Sequence, residues 1–277
     1  MDKVTFNLFD DIFSHDQYSV AGRESKFIKW DRDLSNINNP TFYSHNKIPF
    51  IDKTISIKEK SYALLFESKS IIPKTYYEVE KFVSKFNKVF THNSEFLKKY
   101  DNCFWIPGGG VWIGGSFGKG EIKIFEKTKI CSIVSSQKQM CELHKYRLKV
   151  VELVKNLKVD IFGLESWQPI NISLEDYMFS IVVENYQDDL YFTEKILNCF
   201  ATGTVPIYLG ARNIKQKFNI DGIIQFHSLN EINRLKLDKE VYLSKLEAIK
   251  DNFRRCLEYL SIEDYIYTNH FNGGFKK

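Results

Sequence analysis

The stretch FSIVVENYQDDLYFTEKILNCFATGTVPIYLG, Phe179 to Gly210, reads as a complete strand, helix, strand unit. Phe179 to Val183 is a continuous apolar run rich in β-branched residues, the pattern of a strand buried on both faces of a parallel sheet. It gives way to polar Glu184 and Asn185. After a loop containing Asp188 and Asp189, the run from about Tyr191 to Ala201 places Ile196, Leu197 and Phe200 on one helical face, and Gly203 supplies a C-cap. Val205 to Leu209 is the next strand. Parallel strands joined by a helix require a right-handed crossover, and ligands of such open sheets bind beyond the carboxyl ends of the strands. Glu184, Asn185 and the helix start Thr193-Glu194-Lys195 are therefore expected at one crevice.

A helix N-terminus presents unpaired N–H groups and a partial positive charge. Lys195 in the first turn adds attraction for a phosphate, although a cation there opposes the helix dipole; an anionic ligand accounts for the conflict. Glu194 is a good acceptor for paired sugar hydroxyls, and Tyr191 offers an aromatic face with a polar tip. Together these groups suit a sugar nucleotide.

At these residues the sequence resembles the α-1,3-fucosyltransferase family, glycosyltransferase family 10. Its C-terminal half carries a Glu-Asn strand end followed six residues later by Tyr-x-Thr-Glu-Lys, here Glu184-Asn185 and then Tyr191-Phe192-Thr193-Glu194-Lys195. The family's continuation, Gly-Thr-Val-Pro, a hydrophobic strand and Gly, stands here as Gly203-Thr204-Val205-Pro206 through Gly210. The resemblance covers nearly all of the C-terminal half of the chain and only fragments of the N-terminal half.

A chain of 277 residues is long enough for one large α/β domain or two modest ones. A hydrophobic fraction of 43% and an aromatic fraction of 15% belong to a packed globular protein and exclude a disordered one. No apolar run reaches membrane-spanning length and the N-terminus lacks a signal-peptide layout, so a cytoplasmic protein is expected. The 5 cysteines are widely spaced and mostly inside apolar segments, as reduced core residues are. With no CxxC and no Cys/His cluster, a zinc site is not expected. A formal charge of +4 favours phosphorylated or anionic partners but falls far short of a dedicated nucleic-acid binder.

In the N-terminal half, Val4 to Phe9 is a first strand, with Phe6 and Leu8 alternating against polar neighbours. Ser14 to Asn46 shows no sustained period. Within it, Asp31-Arg32-Asp33 is similar to the metal-chelating Asp-x-Asp pair of another class of glycosyltransferase, but closes no apolar strand and reads as solvated loop. Ser61 to Phe66, SYALLF, is a buried strand that delivers Glu67, and a carboxylate there is where an α/β enzyme keeps a catalytic base. The resembling family carries its proposed general base in a Glu-Ser-Pro segment at the corresponding place; here Lys69 replaces the Pro. A helix-compatible run from Pro73 to Phe86 follows, then a short strand, Lys88 to Thr91, ending in His92. The family's Tyr-Arg-Arg stretch is absent here, which leaves His92 as an alternative base or a contact to the acceptor.

Cys103 to Ile106 is a further strand, closed by Pro107-Gly108-Gly109-Gly110. The glycine-rich segment to Gly120 is not a P-loop: with Gly118-Lys119 in register, the leading glycine is Ile113 and the Ser/Thr is Gly120. It reads as a flexible interdomain linker or a ligand-facing loop. Beyond it come a strand at Lys129 to Ser135, a helix from about Gln139 to Leu157, a short strand at Val159 to Gly163 and a last strand at Ile223 to Phe226. Arg147 interrupts the apolar side of the helix, and its guanidinium fork suits a diphosphate. The family has an Arg at the matching place, assigned to the donor phosphate. From Lys239 onward, apolar residues recur at helical spacing as in a closing helix, and the tail from Tyr265 to Lys277 has the composition to touch an acceptor or, peripherally, an anionic membrane.

The expected architecture is α/β and GT-B-like, two α/β/α Rossmann-like domains facing across a cleft. Residues 1–115 form the acceptor-side domain and 116–277 the nucleotide-sugar (donor) domain with a C-terminal helix. The expected activity is that of an inverting glycosyltransferase. Its diphosphate is neutralised by Arg147, Lys195 and the helix start instead of a metal, with Glu67 as base and no cofactor beyond the donor. The resemblance implies GDP-fucose as donor and an N-acetylglucosamine-containing glycan or glycolipid as acceptor. Another GDP- or UDP-sugar, or a non-catalytic module binding nucleotide sugar or glycan, fits the same motifs. The sequence leaves the oligomeric state open.

Overall fold

The computed structural model describes residues 2–11, 16–54 and 57–271. The chain divides into two compact units, one of Met1–Gly110 with Leu260–Lys277 and one of Val111–Tyr259.

The first unit is built on a six-stranded sheet of β1 (Val4–Phe9), β2 (Ile28–Asp31), β3 (Thr41–Ser44), β4 (Ser61–Leu65), β5 (Lys88–Thr91) and β6 (Cys103–Trp105), in spatial order β2-β1-β3-β4-β5-β6. Every neighbouring pair is parallel. Successive residues point to opposite faces, so the strands divide their side chains between two cores. Phe42, Tyr62, Leu64 and Phe90 pack on one face with Ile262 and Ile266. Tyr43, Ala63, Leu65 and Val89 pack on the other with Tyr76, Val79 and Val83. Helix α1 (Pro73–Val79) starts with Pro at its first position and tightens into a 3-10 turn over Glu80–Lys85. A second helix, α2 (Ser94–Lys99), is capped by Asn93, whose side-chain oxygen accepts from Phe96 N.

The second unit holds β7 (Lys129–Val134), β8 (Asp160–Phe162), β9 (Tyr177–Val183), β10 (Val205–Leu209) and β11 (Ile224–Gln225), in spatial order β11-β10-β9-β7-β8 and again parallel throughout. Between the strands run α3 (Glu142–Val154) and α4 (Glu194–Thr202). After β11 come α5 (Leu229–Asn233), α6 (Lys239–Ser244) and α7 (Leu246–Cys256). The strand order reverses between β7 and β9, which makes their carboxyl ends a topological switch point, where ligands of open sheets dock.

Two segments that the sequence reading assigned fold differently. The segment from Lys239 is not one closing helix. It breaks at Lys245 and again at Ser261, whose hydroxyl caps α8 (Ile262–His270) by accepting from Asp264 N. That last helix belongs to the first unit, so the division falls at Gly110 and Tyr259 instead of at residue 115 with the whole tail assigned to the second unit. Chemistry fixes α8 there: the Glu263 carboxylate, 1% exposed, accepts from Ser19 N, Ser19 Oγ and Trp30 Nε1. The tail through Phe271 is thus core-forming, and the expectation for its end falls on residues 272–277, outside the described residues. Nor is the glycine-rich segment a flexible linker. Val111 and Ile113 are fully buried, and a Cβ on Gly118 would lie 2.0 Å from Trp112 O.

Candidate functional site

In the second unit the strand, helix, strand stretch forms as expected, with adjustments at its edges. β9 begins two residues earlier, at Tyr177, and α4 starts at Glu194, because Thr193 is its extended N-cap. Gly203 closes the helix with φ 74°, the left-handed conformation that glycine adopts without a Cβ penalty. The far end of α4 is tied down by Lys127, whose buried Nζ lies within 3.0 Å of Leu174 O, Glu175 O, Thr202 O and Thr204 Oγ1 and shares its N–H groups among them.

The end of β9 meets the start of α4 through Glu184. Its carboxylate is fully buried and accepts from Thr193 N at 3.0 Å and Thr193 Oγ1 at 2.7 Å. The ammonium of Lys195 lies 3.4 Å from Glu184 and 3.0 Å from Glu194. Burial pushes the Glu184 carboxyl up, and Lys195 pulls it partly back. Burial would likewise lower Lys195, but Glu194 and Glu184 outweigh it and hold the ammonium above its ordinary range. Gly210, at the end of β10, leaves room for this arrangement: a Cβ there would come within 2.6 Å of Glu184 Cγ.

Arg147 reaches the same place from α3. It is 6% exposed, Nη1 donates to Val183 O at 3.3 Å, and Nε has no hydrogen-bond partner among the described residues. Burial lowers its pKa, and Glu184, Cys141 and Glu194 act against that. A buried guanidinium that is not fully hydrogen-bonded is costly, and binding sites are where such costs are tolerated. One turn earlier, His144 is also 6% exposed with Nδ1 unpartnered among the described residues. Burial first, then Arg147, Lys195 and Lys138, lower it to about 4, so it is neutral at pH 7. Sequence reading passed over His144; its spacing of three from Arg147 on one helix face was the available signal.

The remaining residues of the motif are supports. Tyr191 is 1% exposed, so its ring lies in the interior instead of presenting a face; its hydroxyl donates to Asn185 Oδ1 at 2.7 Å. The Asn185 carbonyl accepts from Cys141 Sγ at the start of α3. The structure therefore brings Arg147, Glu184, Asn185, Thr193, Glu194 and Lys195 to one end of the sheet, with Tyr191 behind them.

In the first unit, sheet order sets β3, β4 and β5 side by side, and the residues just beyond their carboxyl ends are His45, Glu67 and His92. Glu67 is half-buried, and its Oε1 accepts from Ser68 N at 2.7 Å. Both histidines are fully buried. The Glu67 carbonyl accepts from Tyr76 Oη at 2.7 Å and lies 3.3 Å from His92 Nε2. His45 was not singled out from the sequence, since it follows the four-residue strand TFYS inside the segment without periodicity. The Asp31 carboxylate is turned to its own loop, accepting from Asp33 N, Ser35 N and Ser35 Oγ. No group of three or more His, Cys, Asp or Glu side chains able to hold a metal occurs among the described residues.

Two parallel α/β sheets, with a cationic, helix-capped switch point in the second, define a protein of the GT-B class. The model of glycosyltransferase family 10 (fucosyltransferase), C-terminal domain, matches residues 124–272, and the chain belongs to that family. The α-(1,3)-fucosyltransferase FucT of Helicobacter pylori is 29% identical over 106 residues, a stretch covering 36% of this chain and 21% of that relative's length. The crystal structure of an α1,3-fucosyltransferase is similar at a TM-score of 0.53 with 14% identity, covering 97% of this chain and 91% of that one. An α1,3-fucosyltransferase structure with GDP is similar at 0.50, with the same identity and coverage. At that identity the likeness speaks for the fold.

Proposed function

We propose that the protein is an inverting fucosyltransferase that moves fucose from GDP-fucose to a hydroxyl of an N-acetylglucosamine-containing glycan. The observation that carries this reading is Arg147, a nearly buried guanidinium whose Nε has no partner among the described residues, beside the Lys195 ammonium and the start of α4 at the switch point of the second sheet. Family membership supports fucosyl transfer, and the fold-similar α1,3-fucosyltransferase with GDP supports a guanosine nucleotide.

In this mechanism the diphosphate of the donor is neutralised by Arg147, Lys195 and the α4 N-terminus. Glu194 accepts from donor hydroxyls. The acceptor oxygen attacks the anomeric carbon from the face opposite the diphosphate as the bond to GDP breaks, and the electron pair leaves on the diphosphate oxygen. Glu67 takes the acceptor proton. Buried, free cysteines support work in a reducing, cytoplasmic setting. A thermal-shift screen of nucleotides and nucleotide sugars tests the donor, because a specific ligand stabilises with the logarithm of its concentration over Kd. GDP and GDP-fucose should shift the transition and UDP-sugars should not. A shift by UDP-sugars alone would reassign the donor, and donor binding without transfer to any N-acetylglucosamine glycan would leave a binding module.

A further inference from the structure

We infer that His45 and Tyr76, with His92, are positioning residues that clamp the main chain of Glu67 and so aim its carboxylate. The inference rests on the reading of Glu67 as base. Three strand ends that lie side by side converge on one peptide segment. From the β3 side, His45 Nε2 accepts from Glu67 N at 3.0 Å and from Phe66 N at 3.3 Å. From the other side, the Glu67 carbonyl accepts from Tyr76 Oη at 2.7 Å and lies 3.3 Å from His92 Nε2, which itself stands 3.2 Å from Tyr76 Oη. Both polar groups of the Glu67 main chain are thus held by side chains that are at most 1% exposed.

The chemistry fixes the protonation states. An N–H can only donate, so Nε2 of His45 must be the bare nitrogen, and the ring proton sits on Nδ1, 2.8 Å from Ser44 Oγ. A carbonyl can only accept, so His92 Nε2 carries its proton when it bonds there. His92 therefore serves the clamp instead of acting as a base through that nitrogen. His45 also carries a backbone cost: its φ is 48°, in the left-handed region that non-glycine residues rarely enter. Such strain persists where surrounding structure over-determines it, and here it turns the ring back over the end of β4. An ordinary loop between strands needs no such device.

The test compares kcat, donor KM and thermal unfolding in Glu67→Gln, His45→Ala, His45→Gln and Tyr76→Phe. A displacement near 1 Å in a reacting group costs on the order of a hundredfold in rate. His45→Ala, which leaves two N–H groups without their acceptor, should lower kcat by about 10- to 100-fold with donor KM unchanged. His45→Gln places an amide oxygen where Nε2 stood and should restore kcat to within about threefold of wild type. Tyr76→Phe removes one hydroxyl from a ring that stays packed, and should lower kcat by about three- to tenfold while lowering the unfolding temperature by no more than about 2 to 4 °C. Wild-type kcat in both Tyr76→Phe and a folded His45→Ala, while Glu67→Gln is slow, would overturn the clamp and keep the base. Equal loss in His45→Gln and His45→Ala would overturn the acceptor role of Nε2. Wild-type transfer by Glu67→Gln would remove the base assignment and the clamp with it.

Discussion

The Glu184 carboxylate holds Thr193 twice, through its N–H at 3.0 Å and its hydroxyl at 2.7 Å, and so fixes the start of α4 to the end of β9. Because Glu184 is fully buried, these bonds are formed where water cannot replace them. Glu184→Gln keeps the shape but loses the charge that serves both Thr193 and Lys195. It should cost about 1.5 to 3 kcal/mol in urea unfolding, the range for hydrogen bonds to charged groups. Unchanged stability would mean that the α4 N-terminus is held by something else.

Arg147 should behave in the opposite way. Its buried guanidinium leaves Nε without a partner among the described residues, so Arg147→Met, of similar volume, should leave unfolding stability unchanged or raise it by about 1 kcal/mol. A loss of more than that would show that the side chain is held for structure.

Acid should destabilise the protein through His45. Its burial and the neighbouring His92 lower it to about 3, against an ordinary value of 6.5. The unfolded chain therefore binds the proton first as pH falls, and stability that is complete above about pH 6.5 declines toward pH 3 by about 1.4 kcal/mol per unit. His144 and His270, each lowered to about 4, add to the decline, while buried Glu184 and Glu263, raised by burial, oppose it. The clean measurement is the stability difference between wild type and His45→Gln at pH 7 and pH 4.5. The variant should gain on the wild type as pH falls, and a constant difference would contradict the buried neutral state.

Much of this was legible in the chain and some was not, for physical reasons. The segments SYALLF, KVFT and KICSIVS announced β4, β5 and β7 because strands buried on both faces are continuous apolar runs, and Glu184, Thr193 and Lys195 fell on the same element boundaries the sequence placed. The strands IKWD and TFYS were missed: four residues are too few for a period to show, and aromatic and charged neighbours surround them. With TFYS went His45, whose role depends on β3 lying beside β4, a non-local pairing that no local pattern encodes. The roles of Tyr191 and Glu184 shifted for a related reason. Composition gives a side chain's chemistry, whereas burial decides whether it meets a ligand or holds the residues that do.

Chelation should leave turnover intact. Arg147 and Lys195 are the cations proposed for the diphosphate, so EDTA should change the transfer rate by less than about twofold, against the several kcal/mol a metal typically supplies at a phosphoryl oxygen. Loss of activity restored by manganese would move an acidic pair such as Asp188 and Asp189 into the mechanism.

The central claim is that Arg147 and Lys195 form the diphosphate cradle of a GDP-sugar donor, and calorimetric titration of GDP into wild type, Arg147→Ala and Lys195→Ala tests it most directly. The account predicts saturable GDP binding by the wild type, weakened in each variant by about 1.5 to 3 kcal/mol, roughly 10- to 150-fold in Kd, with both variants folded. Equal GDP affinity in all three proteins, or no GDP binding by the folded wild type, would contradict it.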